Sequence, residues 1–267
     1  MAKRIITAVV GLPILIGLLY LGGYYVMGVC IILSVIGMNE YVRGVNKILD
    51  HPIKYVFTML LAAIIVVAMK FNYNSTVPVI LICLILVFCG EIFGGNHDLL
   101  RGVATVFGLI YIPVLFGHLQ LFDALPNGVY YMWMVFVIAF STDTFAYFIG
   151  MFFGKRKLAP AISPKKTVAG AIGGVVFAVL AMVAYSLILQ KGFNINLPLI
   201  PNIVVGFIGS VAGQCGDLTA SMIKRETGIK DFGTCLPGHG GILDRFDSIL
   251  FIIPVVYLYA IYTFGYL

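Results

Sequence analysis

"VAGAIGGVVFAVLAMVAYSLILQ", residues 168–190, runs for 23 positions without a charged side chain. Coiled as an α-helix it would be about 34 Å long, enough for the roughly 30 Å hydrocarbon core of a bilayer. It is apolar all round, where a helix lying on a soluble core keeps a polar stripe. The same kind of run recurs on both sides of it. Upstream lie 5–22, 24–42, 53–69, 77–93, 102–122 and 129–150, and downstream 199–223 and 247–267. The composition agrees: 61% of residues are hydrophobic and 10% charged, against about 25% charged in soluble domains, with a mean hydropathy of +1.06. The expectation is an all-α, polytopic integral membrane protein of about nine transmembrane helices. It divides into an N-terminal membrane-spanning region, 1–128, and a C-terminal membrane region, 129–267, that carries the charged motifs.

The placement of Lys and Arg sets the direction. Nine spans with a cytoplasmic N-terminus leave only Lys70 and Lys191 outside and the other fifteen of the seventeen cations inside. This expectation makes the N-terminus cytoplasmic and the protein a multi-pass component of the cell's inner (cytoplasmic) membrane. It also accounts for the net charge of +6 without nucleic acid as a partner; a basic membrane face suits anionic lipid or a phosphate-bearing solute. The opening MAKR followed by an apolar run has the look of a signal peptide. No small-x-small cleavage site follows cleanly and a second span begins at once, so it reads as a retained helix. None of the five cysteines forms a C-x-x-C pair, and they read as small apolar side chains. A zinc site from Cys215, Cys235 and His239 fits no usual ligand spacing.

Three polar clusters interrupt the apolar background. In the first, residues 140–167, Asp143 stands seven residues before the predicted end of its span, roughly 10 Å below the interface. An intramembrane carboxylate is costly and marks a functional site by default, although Ser141 and Thr144 could satisfy a structural one. After it, "SPKKT" places Lys165 and Lys166 just before a helix that Ser163 or Thr167 can cap. That is either an anion site at a helix N-terminus or two ordinary cytoplasmic lysines.

In the second cluster, residues 209–228, Gly209, Gly213 and Gly216 point to close helix packing or to backbone approach by a ligand. Asp217, Ser221, Lys224 and Arg225 share one helix face. Either the carboxylate holds a metal while the cations take phosphate oxygens, or Asp217 pairs with a snorkelling cation. The third cluster, "PGHGGILDRFDS" at 237–248, breaks the helix with proline and glycine. Asp244, Asp247 and Ser248 then share a face at the start of the last span. First-turn carboxylates are favoured by the helix dipole alone, but several carboxylates on one side of a membrane repel unless cations sit among them. Hard oxygen ligands favour Mg²⁺, and carboxylate-held metal with surrounding Lys and Arg suits phosphoryl or nucleotidyl transfer.

At these residues the chain resembles the phosphatidate cytidylyltransferases, the CDP-diacylglycerol synthases. Their signature has the form S-x-x-K-R-x4-K-D-x-G-x3-P-G-H-G-G-x2-D-R-x-D. It is met without a gap from Ser221 through Lys224, Arg225, Lys230, Asp231 and Gly233 to Pro237, Gly238, His239, Gly240, Gly241, Asp244, Arg245 and Asp247. "DTFAYFIG", "FGKRKLAPAISPKKT" and "GQCGDL" are also similar to that family, and "NEYVRG" at the end of the second run is similar to a weaker feature. The family usually carries Glu where this chain has Ala169 and Ala220.

The resemblance implies CTP + phosphatidate → CDP-diacylglycerol + pyrophosphate at the cytoplasmic face, by a homodimer that depends on Mg²⁺ and has room for a second cation. Asp143, Asp217, Asp244 and Asp247 would hold metal, with Asp217, Asp244, Lys224, Arg225 and His239 catalytic. Lys165, Lys166, Ser221, Lys230 and Arg245 would bind substrate, and His239 would either donate to a phosphate or hold the loop. Rivals are another CTP-using membrane lipid enzyme, such as a polyprenol kinase or an archaeal-lipid cytidylyltransferase, and a cation-coupled transporter using Asp143 and Asp217. The transporter predicts paired repeats, which the sequence lacks, and leaves PGHGG unexplained.

Overall fold

The computed structural model describes residues 13, 16–71, 76–195, 197–235 and 240–263. Its helices of 17 residues or more among the described residues, in chain order, are α1 (Gly23–Val45), α2 (Tyr55–Phe71), α3 (Thr76–Phe93), α4 (Leu99–Ala124), α5 (Gly128–Phe153), α6 (Val168–Phe193), α7 (Leu199–Glu226) and α8 (Leu243–Thr263). All but α2 are at least 18 residues long and apolar enough to cross a bilayer, and α2 is an apolar helix of 17 residues. The chain is therefore an all-α, multi-pass membrane protein. The run at 5–22 falls largely outside the described residues.

α4 is continuous but not uniform. Pro113 has no N–H to give to the turn before it, so the helix widens into a π-type turn over Ile110–Val114 and then tightens to 3₁₀ over His118–Ala124. α8 begins four residues ahead of the 247–267 run, which puts Asp244 in its first turn. Residues 157–167, between two of the expected spans, form a small antiparallel hairpin of β1 (Lys157–Ala159) and β2 (Ser163–Thr167). Pro160 sits at the second position of its turn, closed by the Ile162 N–H donating to the Ala159 carbonyl at 3.2 Å. Of the two candidate caps for α6, Thr167 takes the role, its hydroxyl accepting from the Gly170 N–H at 3.1 Å.

The chain forms two compact units: Met1–Ala124 with Ile223–Phe246, and Leu125–Met222 with Asp247–Leu267. In the first, Tyr41 lies over Gly108 and donates to the Ala104 carbonyl at 2.9 Å, while Gln120 donates to the Val66 carbonyl at 2.7 Å. Leu243, fully buried, rests on the space left by Gly37. In the second, Gly170 and Gly174 let α6 approach the α5 backbone, with Phe145 and Phe177 stacked at 3.8 Å. Gly209 faces Ile138, whereas Gly213 and Gly216 face α8 through Ile252, Phe251 and the Asp247 carbonyl. The glycines of α7 are thus used for helix packing, the first of the two readings the sequence left open. Two polar pairs sit in this apolar core, Thr142 donating to Ser210 at 2.8 Å and Tyr259 to Asn202 at 2.6 Å, as buried hydroxyls require.

Candidate functional site

The described candidate residues fall into two groups, one in each unit. In the unit of 125–222 and 247–267, α5 carries Asp143 ten residues before its end at Phe153, roughly 15 Å along the helix. That is deeper than the sequence spacing suggested. Asp143 nonetheless keeps an exposed surface, and it accepts from the Ser248 hydroxyl at 3.2 Å. Ser141 and Thr144, the neighbours considered as its partners, are not; Ser141 donates to the Val137 carbonyl of its own helix at 2.5 Å. On α7, Asp217 is held between Lys166 Nζ at 2.5 Å on one carboxylate oxygen and the Ser221 hydroxyl at 3.4 Å on the other. The hairpin explains the choice of lysine. Neighbours on a strand point to opposite faces, so Lys166 reaches Asp217 while Lys165 is exposed. Asp247, half-buried, accepts from the Ser248 N–H at 2.8 Å.

In the unit of 1–124 and 223–246, the centre is Asp244. Its Oδ1 accepts from Lys224 Nζ at 2.7 Å, and its Oδ2 from the N–H groups of Phe232 and Gly241 at 2.8 and 3.0 Å. The pair is well buried, with 11% of the Lys224 side chain and 4% of the Asp244 side chain exposed. Phe232 lies under the ammonium, 5.4 Å from Nζ to the ring centre, a cation–π contact. Arg225, Lys230 and Arg245 of the same unit are exposed. His239 lies outside the described residues.

The sequence reading overlooked Glu40. It is buried on α1 and accepts from the Ile242 and Leu243 N–H groups, both at 3.0 Å. The free N–H groups at the start of a helix attract a negative charge, and here a carboxylate from a distant helix supplies it. The signal was available. Glu40 lies inside the 24–42 run, and the argument that singled out Asp143 as an intramembrane carboxylate applies to it equally.

In both clusters a lysine ammonium occupies one oxygen of an aspartate while the other oxygen holds protein structure. Among the described residues no three His, Cys, Asp or Glu side chains converge as a metal cage. Mg²⁺ seldom needs one, because it keeps waters and takes one or two carboxylates plus substrate phosphates. The donors present, carboxylates and a serine hydroxyl, suit such a hard cation.

These features define a polytopic membrane protein with a carboxylate–lysine pair in each of its two units. The chain belongs to the cytidylyltransferase family, whose description matches residues 2–263. It is 32% identical over 260 residues to the phosphatidate cytidylyltransferase of Staphylococcus haemolyticus, covering 96% of this chain and 97% of that one. It is 33% identical over 269 residues to the enzyme of the same name from Staphylococcus epidermidis strain RP62A, covering 98% and 100%. Over 149 residues, 55% of this chain and 54% of the other, it is 44% identical to the Bacillus subtilis phosphatidate cytidylyltransferase.

Proposed function

We propose that the protein transfers the cytidylyl group of CTP to phosphatidate, giving CDP-diacylglycerol and pyrophosphate. The observation that carries this is the likeness over nearly the whole length to phosphatidate cytidylyltransferases, supported by charge clusters of the right chemistry. A phosphate oxygen of phosphatidate attacks the α-phosphorus of CTP. The new P–O bond forms as the bond to the β-phosphate bridge breaks, and pyrophosphate leaves. The nucleophile is already an anion, so no strong base is required; the work is positioning and neutralising charge.

Lys166 and Lys224 each rest on a carboxylate oxygen and are poised to exchange it for a phosphate. Lys165, Arg225, Lys230 and Arg245 add positive charge at exposed positions. Ser221 steadies Asp217, and His239 belongs to the same loop sequence as a donor to phosphate or as a support. Asp143, Asp217, Asp244 and Asp247 are the carboxylates that would hold Mg²⁺, with a second cation as a further occupant; for Asp244 the exchangeable oxygen is Oδ1. When bound, the metal would supply neutralisation of the triphosphate. The setting is the cytoplasmic face of the cytoplasmic membrane, and the working form a homodimer.

Purified protein incubated with phosphatidate, Mg²⁺ and CTP labelled at the α-phosphate should place the label in lipid, and chelation of the metal should stop it. Transfer of a γ-phosphate label to a polyprenol, with no lipid-linked CMP, would move the protein to a different reaction class.

A further inference from the structure

We propose that Glu40 is a positioning residue: its carboxylate, from α1, sets residues 241–243 and the first turn of α8 in the geometry that turnover needs. The role in turnover rests on the function proposed above; the positioning itself does not. Glu40 is only 5% exposed, and it lies five residues before the end of α1, about 8 Å along the helix. A carboxylate there is costly and must be answered by donors. The donors are two backbone N–H groups more than two hundred residues away, each taking a separate oxygen: Ile242 on Oε1 and Leu243 on Oε2, both at 3.0 Å.

Two glycines are placed against the same side chain. A Cβ at Gly233 or at Gly241 would collide with the Glu40 carboxylate, so these positions stay bare for close approach to the clamp. One turn earlier on α1, Gly37 leaves the space that receives Leu243. α1 therefore grips residues 241–243 through a carboxylate and a packing notch together. Asp244, the next residue, holds Lys224 and the Phe232 N–H. Displacing 241–243 displaces the carboxylate–lysine pair with them.

A glutamine tests the chemistry and keeps the size, because its amide offers one acceptor and one donor where two acceptors are used. In Glu40→Gln, hydrogen exchange at Ile242 and Leu243 should rise roughly fivefold or more, the scale of one lost hydrogen bond, with exchange in α5 and α6 unchanged. The turnover number of the folded protein should fall about 10- to 100-fold, the effect of misplacing catalytic groups, with a smaller change in KM for CTP. Gly241→Ala, which pushes on the carboxylate from the other side, should reproduce both effects. Glu91→Gln removes a carboxylate held by Arg101 in the same unit and should leave exchange at 242–243 at the wild-type rate. Unchanged exchange at 242–243 in both Glu40→Gln and Gly241→Ala overturns the clamp. Faster exchange with a wild-type turnover number overturns the positioning role and leaves a purely structural contact. If the wild-type protein makes no CDP-lipid, the proposed function fails, and the exchange comparison still decides the clamp.

Discussion

Asp217 and Asp244 each hold a lysine, yet the two pairs are built for different consequences. The Lys166–Asp217 pair is about a quarter exposed on each side, at 25% and 30%, and pairs of that kind contribute roughly 0–1 kcal/mol. Lys224–Asp244, at 11% and 4% exposed, is a buried pair, and removing one partner from such a pair costs about 3–5 kcal/mol because the other charge is stranded. Asp244 also accepts two loop N–H groups, so its loss loosens backbone as well. Both Asp217→Asn and Asp244→Asn should lower CDP-lipid turnover roughly tenfold or more, since each removes a carboxylate proposed to hold metal. Their stabilities should part company. Asp217→Asn should unfold in detergent near the wild-type temperature, while Asp244→Asn should stay folded at room temperature but unfold clearly earlier on heating. Near-normal rates for both at saturating Mg²⁺ would remove the metal assignment, and equal unfolding temperatures would contradict the difference in burial.

At the scale of the element, α7 is a helix whose one side has been planed down. Gly213 and Gly216 admit α8 so closely that a Cβ on Gly216 would overlap the Asp247 carbonyl and touch the Phe251 side chain at 3.2 Å. Gly216→Ala should therefore cost about 1–3 kcal/mol, the range for overpacking. It should also shift the α8 turn carrying Ser248, whose hydroxyl reaches Asp143. Thermal unfolding in detergent measures the first effect, and an unchanged midpoint would show that the helices can part freely. The long apolar helices α3–α8 were legible in the sequence because apolar runs of about 20 residues mark spans. The hairpin at 157–167 was not, since its second strand is five residues with Pro164 in it, and such a strand has neither the length nor the pattern to stand out. The loop's own residues could be named from their spacing, but not which oxygen of Asp244 each donor takes. Glu40 could have been marked as an intramembrane carboxylate, but its partners could not: they are backbone N–H groups from the far end of the chain, and no local pattern announces a long-range cap.

At the scale of the molecule, the remaining question is direction across the bilayer. In the unit of 1–124 and 223–246 the helices alternate. Lys70, in the last turn of α2, meets Asp123 at the end of α4 at 2.9 Å. Glu91, near the end of α3, meets Arg101 near the start of α4 at 2.6 Å. Each ion pair thus joins helix ends that the nine-span threading assigns to one face, Lys70 and Asp123 outside, Glu91 and Arg101 inside. In the other unit, α5 ends at Phe153 just before the basic hairpin, and α6 runs 26 residues to Phe193. That length is roughly 39 Å, enough for a full crossing of a bilayer core, and such a crossing would place Arg156 and Asn194 on opposite faces. Under the nine-span threading, the fifteen-to-two distribution of cations would put the Arg156 face in the cytoplasm. After replacement of the exposed Cys89, Cys215 and Cys235, single cysteines at positions 156 and 230 should react with a membrane-impermeant maleimide only from the cytoplasmic side, and one at 194 only from the opposite side. Labelling of 156 and 194 from the same side would refute the threading of α6. Opposite faces with the sense reversed would keep the helices and overturn the orientation, and with it a reaction that draws CTP from the cytoplasm.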